Sequence, residues 1–366
     1  MCYKHNSGCI TTETLTRVIR AQKVILKANE SEEVESEFRA IEALNNRKEL
    51  YEKERADMTS NAPESVIIEE GAIDRLDHIL GESQRPLFVT DVVLYDKYKR
   101  MIENTVKSDV VWAISPDYQK GIVGLYPNVD MIVGFGGGRS IDIAKIISME
   151  ANLDWVSVPT AASHDGIASD VASVMHNGYR YSEKCKSPKI ILADLSIIAT
   201  APKILTLSGI GDIVCKTSSL AEWKLAKNHG NEKFDSDVFA TVETAMNNVL
   251  KDDSLETLVQ SIIDTGKAMT AFGSSRPCSG TEHAISHAMD RRMPSLHGLQ
   301  VAFATPLCLY FLEQAGYSKH AVKDIRNFLT EREMPTTLKE LDMNEEMFLD
   351  DIQHALKINL ELEQKF

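Results

Sequence analysis

The chain is short of positive charge. Against 54 Asp and Glu it carries 40 Lys and Arg, a formal charge of −14 over 366 residues. Nucleic acids reward clustered Lys and Arg, so this balance argues against a nucleic-acid partner. Long apolar runs are also lacking. None approaches the roughly 20 residues that span a bilayer, which argues against a membrane-embedded protein. Met1 to Ile10 is polar and has no apolar h-region of a signal peptide. The six cysteines (Cys2, Cys9, Cys185, Cys215, Cys278, Cys308) are scattered, with no C-x-x-C pair. That distribution disfavours a disulfide framework or a zinc ribbon and predicts reduced thiols in the cytoplasm. What is present is ordinary globular material, 43% hydrophobic and 26% charged. Its length suits two domains with a cleft between them.

Three regions follow. Residues 1–62 form a polar extension that ends at Asn61-Ala62-Pro63. Within it Val34, Phe38, Ile41 and Leu44 recur at helical spacing among glutamates, which fits either a docked amphipathic helix or a weakly ordered tail. A start at Met58 is a further reading. Residues 63–200 alternate strand and helix. Apolar runs at Val66-Ile68, Leu87-Val89, Val110-Ile114, Met131-Val133, Val156-Val158 and Lys189-Ala193 are bounded by Gly, Pro, Asp or Ser, which predicts a parallel sheet covered by helices. Asn177-Gly178 predicts a hairpin. Residues 201–366 read as helices, among them Ile213 to Ala226, Val238 to Leu250 and Leu255 to Met269. The expected class is α/β: a parallel-sheet dinucleotide-binding domain followed by an all-helical metal-binding domain.

Met131 to Lys145 carries the best phosphate cradle. An apolar strand runs into Gly134-Phe135-Gly136-Gly137-Gly138-Arg139-Ser140 and then a helix. Glycines let backbone approach a pyrophosphate, and N–H groups at a helix start bind its charge. Arg139 stands where G-x-G-x-x-G requires glycine, so the segment alone fits a structural turn as well. Pro159-Thr160-Ala161-Ala162-Ser163-His164-Asp165-Gly166 also ends a strand. Two such loops line one edge of a sheet, where α/β folds bind ligands. Asp91, after Leu87 to Thr90, could hold an adenine-side ribose and favour NAD, or simply cap a helix.

The helical half holds Asp212, the pair His283 and His287 at i and i+4, and His297 on a separate segment. Ser279 with Glu282 predicts a capping box that starts the first histidine helix. Any one of these histidines alone is an ordinary core or surface residue. Converging, one Asp and two His leave coordination positions open, as in a catalytic zinc site, although iron fits the spacing too.

Together the Gly136-Gly138 loop, Pro159 to Ser169, Gly211-Asp212-Ile213-Val214-Cys215-Lys216, Glu222-Trp223-Lys224-Leu225-Ala226, Ser279-Gly280-Thr281-Glu282-His283 and Pro335-Thr336-Thr337-Leu338 resemble the sn-glycerol-1-phosphate dehydrogenase family. That family lies within the glycerol dehydrogenase, iron-dependent alcohol dehydrogenase and dehydroquinate synthase superfamily, and the match spans Glu64 to Lys357. The resemblance implies a dehydroquinate synthase-like fold and one zinc ion per subunit on Asp212, His283 and His297. It also implies substrate contacts from Asp165, Asp212 and His287, and NAD(H) or NADP(H) on Gly136 to Ser140, Thr160 to Ser163 and Ser169. Lys216 stands where iron-dependent alcohol dehydrogenases carry a second ligand histidine. Glycerol dehydrogenases lack both this Asp-x-x-x-Lys and the Trp that follows, and dehydroquinate synthases replace Asp212 by Glu. The stretch before residue 60 and the end from Ala355 to Phe366 do not follow the family pattern.

The implied reaction is reduction of dihydroxyacetone phosphate to sn-glycerol 1-phosphate, the backbone of archaeal-type phospholipids. The metal would polarise the ketone as a Lewis acid. His287 is the first candidate for proton delivery and Asp165, through water, the second. A small-molecule phosphate on a chain of charge −14 needs a local cation. Lys216, one helical turn from Asp212, is expected to bind that phosphate, or else to pair with Asp212. A homo-oligomer is the expected assembly. A dehydrogenase for unphosphorylated glycerol, and a catalytically dead binding protein, are the competing readings.

Overall fold

The computed structural model describes residues 62–115, 121–176, 179–230, 232–290, 292 and 296–363. The expectations placed on residues 1–61 lie outside them. Among the described residues there are eight strands: β1 (Ser65–Glu69), β2 (Pro86–Thr90), β3 (Val111–Ile114), β4 (Met131–Gly136), β5 (Trp155–Pro159), β6 (Val171–His176), β7 (Tyr179–Lys184) and β8 (Ile190–Asp194). Six of them form one parallel sheet in the order β1-β8-β5-β4-β2-β3. β2 and β5 are buried throughout, as strands covered by helices on both faces must be. β6 and β7 pair antiparallel with His176 opposite Tyr179, the predicted hairpin register; Asn177 and Gly178 themselves lie outside the described residues.

Among the strands run helices α1 (Leu76–Leu80), α2 (Val92–Thr105) and α3 (Gly138–Ala151). The last strand ends at Asp194, and only helical elements follow among the described residues. These are α4 (Leu195–Ile198), α5 (Lys203–Val214), α6 (Lys216–Gly230), α7 (Ser236–Lys251), α8 (Leu255–Phe272), α9 (Thr281–Met289), α10 (His297–Gln314), α11 (Val322–Glu331) and α12 (Glu345–Glu363). One apolar cluster joins sheet residues such as Leu87, Ile132 and Ile191 to helix residues such as Ile210, Ile262 and Leu299. The two regions therefore share a core.

Two local expectations change. The helix predicted over Ile213 to Ala226 breaks at Cys215 into α5 and α6. The Thr217 and Ser218 hydroxyls donate to the carbonyls of Val214 and Cys215, each 2.8 Å away, and such back-bonding bends helices. The Ser279 capping box does not form. Gly280 is the N-cap of α9 with no side-chain cap bond. The Glu282 carboxylate does reach back, accepting from Gly280 N–H at 2.6 Å, but it is drawn into the protein by other partners.

The sheet order also places a ligand. From β2 the chain steps outward to β3, returns to β4 on the other side of β2, and continues to β5 and β8. The strand order reverses between β2 and β4, and α/β sheets open a ligand crevice outside the carboxyl ends of strands at such a point. Asp91 follows β2 and Gly136-Gly137-Gly138 closes β4, so both flank the crevice.

Candidate active site

The glycine turn is built for close approach from outside. Gly137 caps α3 with φ −79°, a conformation open to any residue, and a Cβ there would meet nothing within 4 Å. Neither backbone strain nor packing requires glycine at this position. An incoming ligand at the N–H groups of α3 would. Behind the turn, Thr160 N–H donates to Gly136 O at 3.0 Å and couples the two loops. Ala161, Ala162 and Ser163 are buried beside it, and Ser140 is buried while Arg139 is exposed. Ser169 is buried, with its hydroxyl donating to Val171 O at 3.3 Å. Asp91 caps α2, accepting from Leu94 N–H at 2.9 Å. The helix-cap role expected for it is thus present.

The second half of the site depends on how closely α5 and α10 cross. A Cβ on Gly211 would run into the carbonyl oxygen of Gly298, and one on Gly298 into that of Ser208. Backbone therefore packs on backbone. The Ser208 hydroxyl accepts Gly298 N–H at 3.2 Å and donates to Ser163 O at 3.1 Å, tying both helices to the loop after β5. Asp212 and His297 are the immediate neighbours of these two glycines. The crossing brings them together with His283 of α9, one ligand-type atom from each residue lying within 4.8 Å of the others.

Each member of the trio is oriented from behind. His283 Nδ1 lies 2.9 Å from Glu282 Oε1. A carboxylate can only accept, so Nδ1 carries the proton and the Nε2 lone pair faces Asp212 Oδ1, 3.9 Å away. Ser286 donates its hydroxyl proton to Gln300 Oε1 at 2.8 Å, and its oxygen then accepts from His297 Nδ1 at 3.0 Å. Glu282, Ser286 and Gln300 were not read as site residues from the sequence, although each sits next to a histidine or one turn from it.

Asp212 is 1% exposed and bonded at both oxygens: Oδ1 to Lys216 Nζ at 3.0 Å, Oδ2 to Asp165 N–H at 2.8 Å. Burial pushes its carboxyl up. The Lys216 ammonium first, then the neighbouring His283 and His164 rings and the Asp165 N–H, more than reverse this, holding it below the usual range. Lys216 is fully buried, and its ammonium also lies 3.0 Å from Asp165 Oδ2. Burial lowers its pKa, but the two carboxylates outweigh that and keep it well above the ordinary value. The structure thus gives Lys216 the pairing role, between two carboxylates and away from solvent. It does not present the open ammonium expected for a phosphate. His287, partly buried on α9, stacks its ring 5.8 Å from that of His297.

Asp plus two neutral imidazoles, one of them backed by a carboxylate, is a donor set suited to zinc or a similar divalent ion. A second grouping, Cys215, Glu282 and His283, also lies close. It fits less well. Glu282 is engaged by Gly280, Ser218 and His283. The Cys215 thiol is turned to the Asp212 carbonyl, to which it donates at 3.0 Å.

Residues 67–202 match the family model for iron-containing alcohol dehydrogenase. The glycerol-1-phosphate dehydrogenase (NAD(P)+) of Archaeoglobus fulgidus is 33% identical over 321 residues, 82% of this chain and 91% of that one. The chain belongs to the glycerol-1-phosphate dehydrogenase family. The enzyme of the same name from Natronomonas pharaonis is 32% identical over 319 residues, covering 81% of this chain and 90% of its own. Among solved structures, glycerol dehydrogenase from Schizosaccharomyces pombe superposes with a TM-score of 0.66 at 18% identity, over 83% of this chain and 91% of that one. At that identity the likeness carries the fold. No helix among the described residues is long and apolar enough to cross a membrane.

Proposed function

We propose that this chain is a zinc-dependent sn-glycerol-1-phosphate dehydrogenase, which uses NADH or NADPH to reduce dihydroxyacetone phosphate. The observation that carries the reading is the convergence of Asp212, His283 and His297, in a chain one-third identical to a named glycerol-1-phosphate dehydrogenase over nine-tenths of that enzyme's length.

Asp212, His283 and His297 would hold the zinc ion, which supplies Lewis-acid polarisation of a carbonyl when bound. The turn Gly136-Gly137-Gly138-Arg139-Ser140 would take the dinucleotide, with α3 N–H groups on its pyrophosphate. Thr160 to Ser163 and Ser169 support that site from behind, and Asp91 is placed to meet the adenine-side ribose. Asp165 and His287 are assigned to the substrate. We give proton delivery to His287 because the Asp165 carboxylate is committed to the Lys216 ammonium. Lys216 acts one layer back, keeping two neighbouring carboxylates at fixed positions. Four buried free thiols, Cys185, Cys215, Cys278 and Cys308, support a reducing, cytoplasmic setting. A homo-oligomer is part of the same reading.

The experiment is an NADH and NADPH oxidation assay with purified, zinc-loaded protein, on dihydroxyacetone phosphate and on dihydroxyacetone. The glycerol phosphate formed is then identified with a stereospecific enzyme. Turnover restricted to dihydroxyacetone would convert the assignment to a glycerol dehydrogenase. Formation of the 3-phosphate would overturn it.

A further inference from the structure

We propose that Glu282 is a positioning residue that holds His283 in register for the metal, an anionic anchor behind the ligand and not a ligand itself. The inference rests on the metal-site reading given above.

The carboxylate is 0% exposed and makes three contacts. Oε1 accepts Gly280 N–H at 2.6 Å and meets His283 Nδ1 at 2.9 Å, while Oε2 lies 2.8 Å from Ser218 Oγ, whose one proton it shares with the Cys215 carbonyl. These contacts tie the first turn of α9 to α6 and leave His283 one orientation, with Nε2 toward Asp212. A second carboxylate, Glu222, grips the same turn, accepting Thr281 N–H at 2.9 Å. Arg276, 3.4 Å from Glu222, offsets that neighbour. No Lys or Arg ion pair reaches Glu282 among the described residues. Burying an anion among an N–H, an O–H and an imidazole is costly unless a cation completes the array. The imidazole conducts the charge to its far nitrogen, where a divalent ion would sit, and such carboxylate–histidine pairs raise ligand basicity. His297 is held differently, by the neutral Ser286–Gln300 relay. The carboxylate behind His283 should strengthen its hold on the metal.

Glu282→Gln preserves size and the acceptor oxygen for Gly280 and His283, removes the charge, and turns an NH2 toward Ser218, whose hydroxyl can accept from it while donating to the Cys215 carbonyl. Zinc affinity is read by competition with a chromogenic chelator, ligand geometry by the visible spectrum of the cobalt-substituted protein, and folding by the melt of the metal-free protein. The expected result is zinc bound about 10- to 100-fold more weakly, the scale for such outer partners. The cobalt spectrum should be altered and the metal-free melt close to wild type. Ser286→Ala should weaken zinc by a smaller factor. His283→Ala separates the two ideas. If His283→Ala still binds zinc tightly, the metal-site reading falls. If it loses zinc while Glu282→Gln keeps wild-type affinity and spectrum, only the anchor proposal falls. Should Glu282→Gln fail to fold, Ser218→Ala removes the Oε2 donor together with its bond to the Cys215 carbonyl, and the melt of the metal-free protein reads the second effect. A several-fold loss of zinc affinity then supports the proposal, and unchanged affinity overturns it.

Discussion

Lys216→Met removes the one charge that the fold places 3.0 Å from both Asp212 and Asp165, while keeping most of the side-chain volume. Breaking a buried ion pair from one side costs about 3–5 kcal/mol, because the partner stays buried and uncompensated. Asp165 is 14% exposed and can be partly rehydrated, whereas Asp212 at 1% cannot, so the low end of that range applies. At about 2.1 cal/mol/K of unfolding entropy per residue, a loss of about 3 kcal/mol lowers the melting temperature of a metal-free chain of 366 residues by roughly 4 °C. A divalent ion beside Asp212 supplies part of the missing charge. The melt of the variant should therefore rise more on adding zinc than that of the wild type. Turnover should fall by similar factors on dihydroxyacetone phosphate and dihydroxyacetone, because the damage is to carboxylates both substrates meet. Differential scanning fluorimetry with and without zinc, and kcat/KM on the two substrates, read these effects. A melt within about 1 kcal/mol of wild type, with a loss of about ten- to a hundred-fold confined to the phosphorylated substrate, would refute the reasoning and place Lys216 on the phosphate.

Gly137→Val should fold normally, since its Cβ meets nothing, yet weaken NADH binding strongly; fluorescence titration decides, and unchanged affinity would make the turn structural. His297→Ala should leave the fold intact and strip zinc, checked by metal analysis after gel filtration. Asp91→Gly should cost no more than about 1 kcal/mol as a lost cap. A relaxed preference for NADPH over NADH would add the ribose role, and an unchanged ratio would leave Asp91 a cap. Asp130 accepts from Ser83, Gln84 and Arg85; burial pushes its carboxyl up, but these bonds bring it below 3.8. With the folded value depressed, its stabilisation is complete above the unfolded value and lost as pH falls through the folded one. The melting difference between wild type and Asp130→Asn should be full near neutrality and vanish in strong acid, as a pH series of melts would show.

The sheet was legible because its strands are β-branched runs between turn residues, and burial on both faces makes such runs nearly continuous. β4 extends past the predicted Val133 to Gly136, since glycines that end a strand have no pattern of their own. Asp212, His283 and His297 could be picked out by type and spacing. Their supports could not. Glu282 read as a cap because an N3 glutamate after a serine has that local signature, and only the approach of Ser218 from α6 shows where it goes. For Lys216 the i+4 spacing to Asp212 was visible, but Asp165 arrives from a loop of the other region. Local pattern cannot report a partner that tertiary packing delivers.

Gly211 and Gly298 have a consequence for metal choice. Two helices in backbone contact cannot move closer, and the serine bridge resists their separation, so the gap between Asp212 and His297 behaves like the fixed jaw of a caliper. A metal of different preferred bond length would have to be met by side-chain rotation, and Asp212 has little rotation left with both oxygens bonded. Selectivity would then reside in two residues that carry no donor atom on a side chain. It could be lost by adding a single methyl group with every ligand still in place.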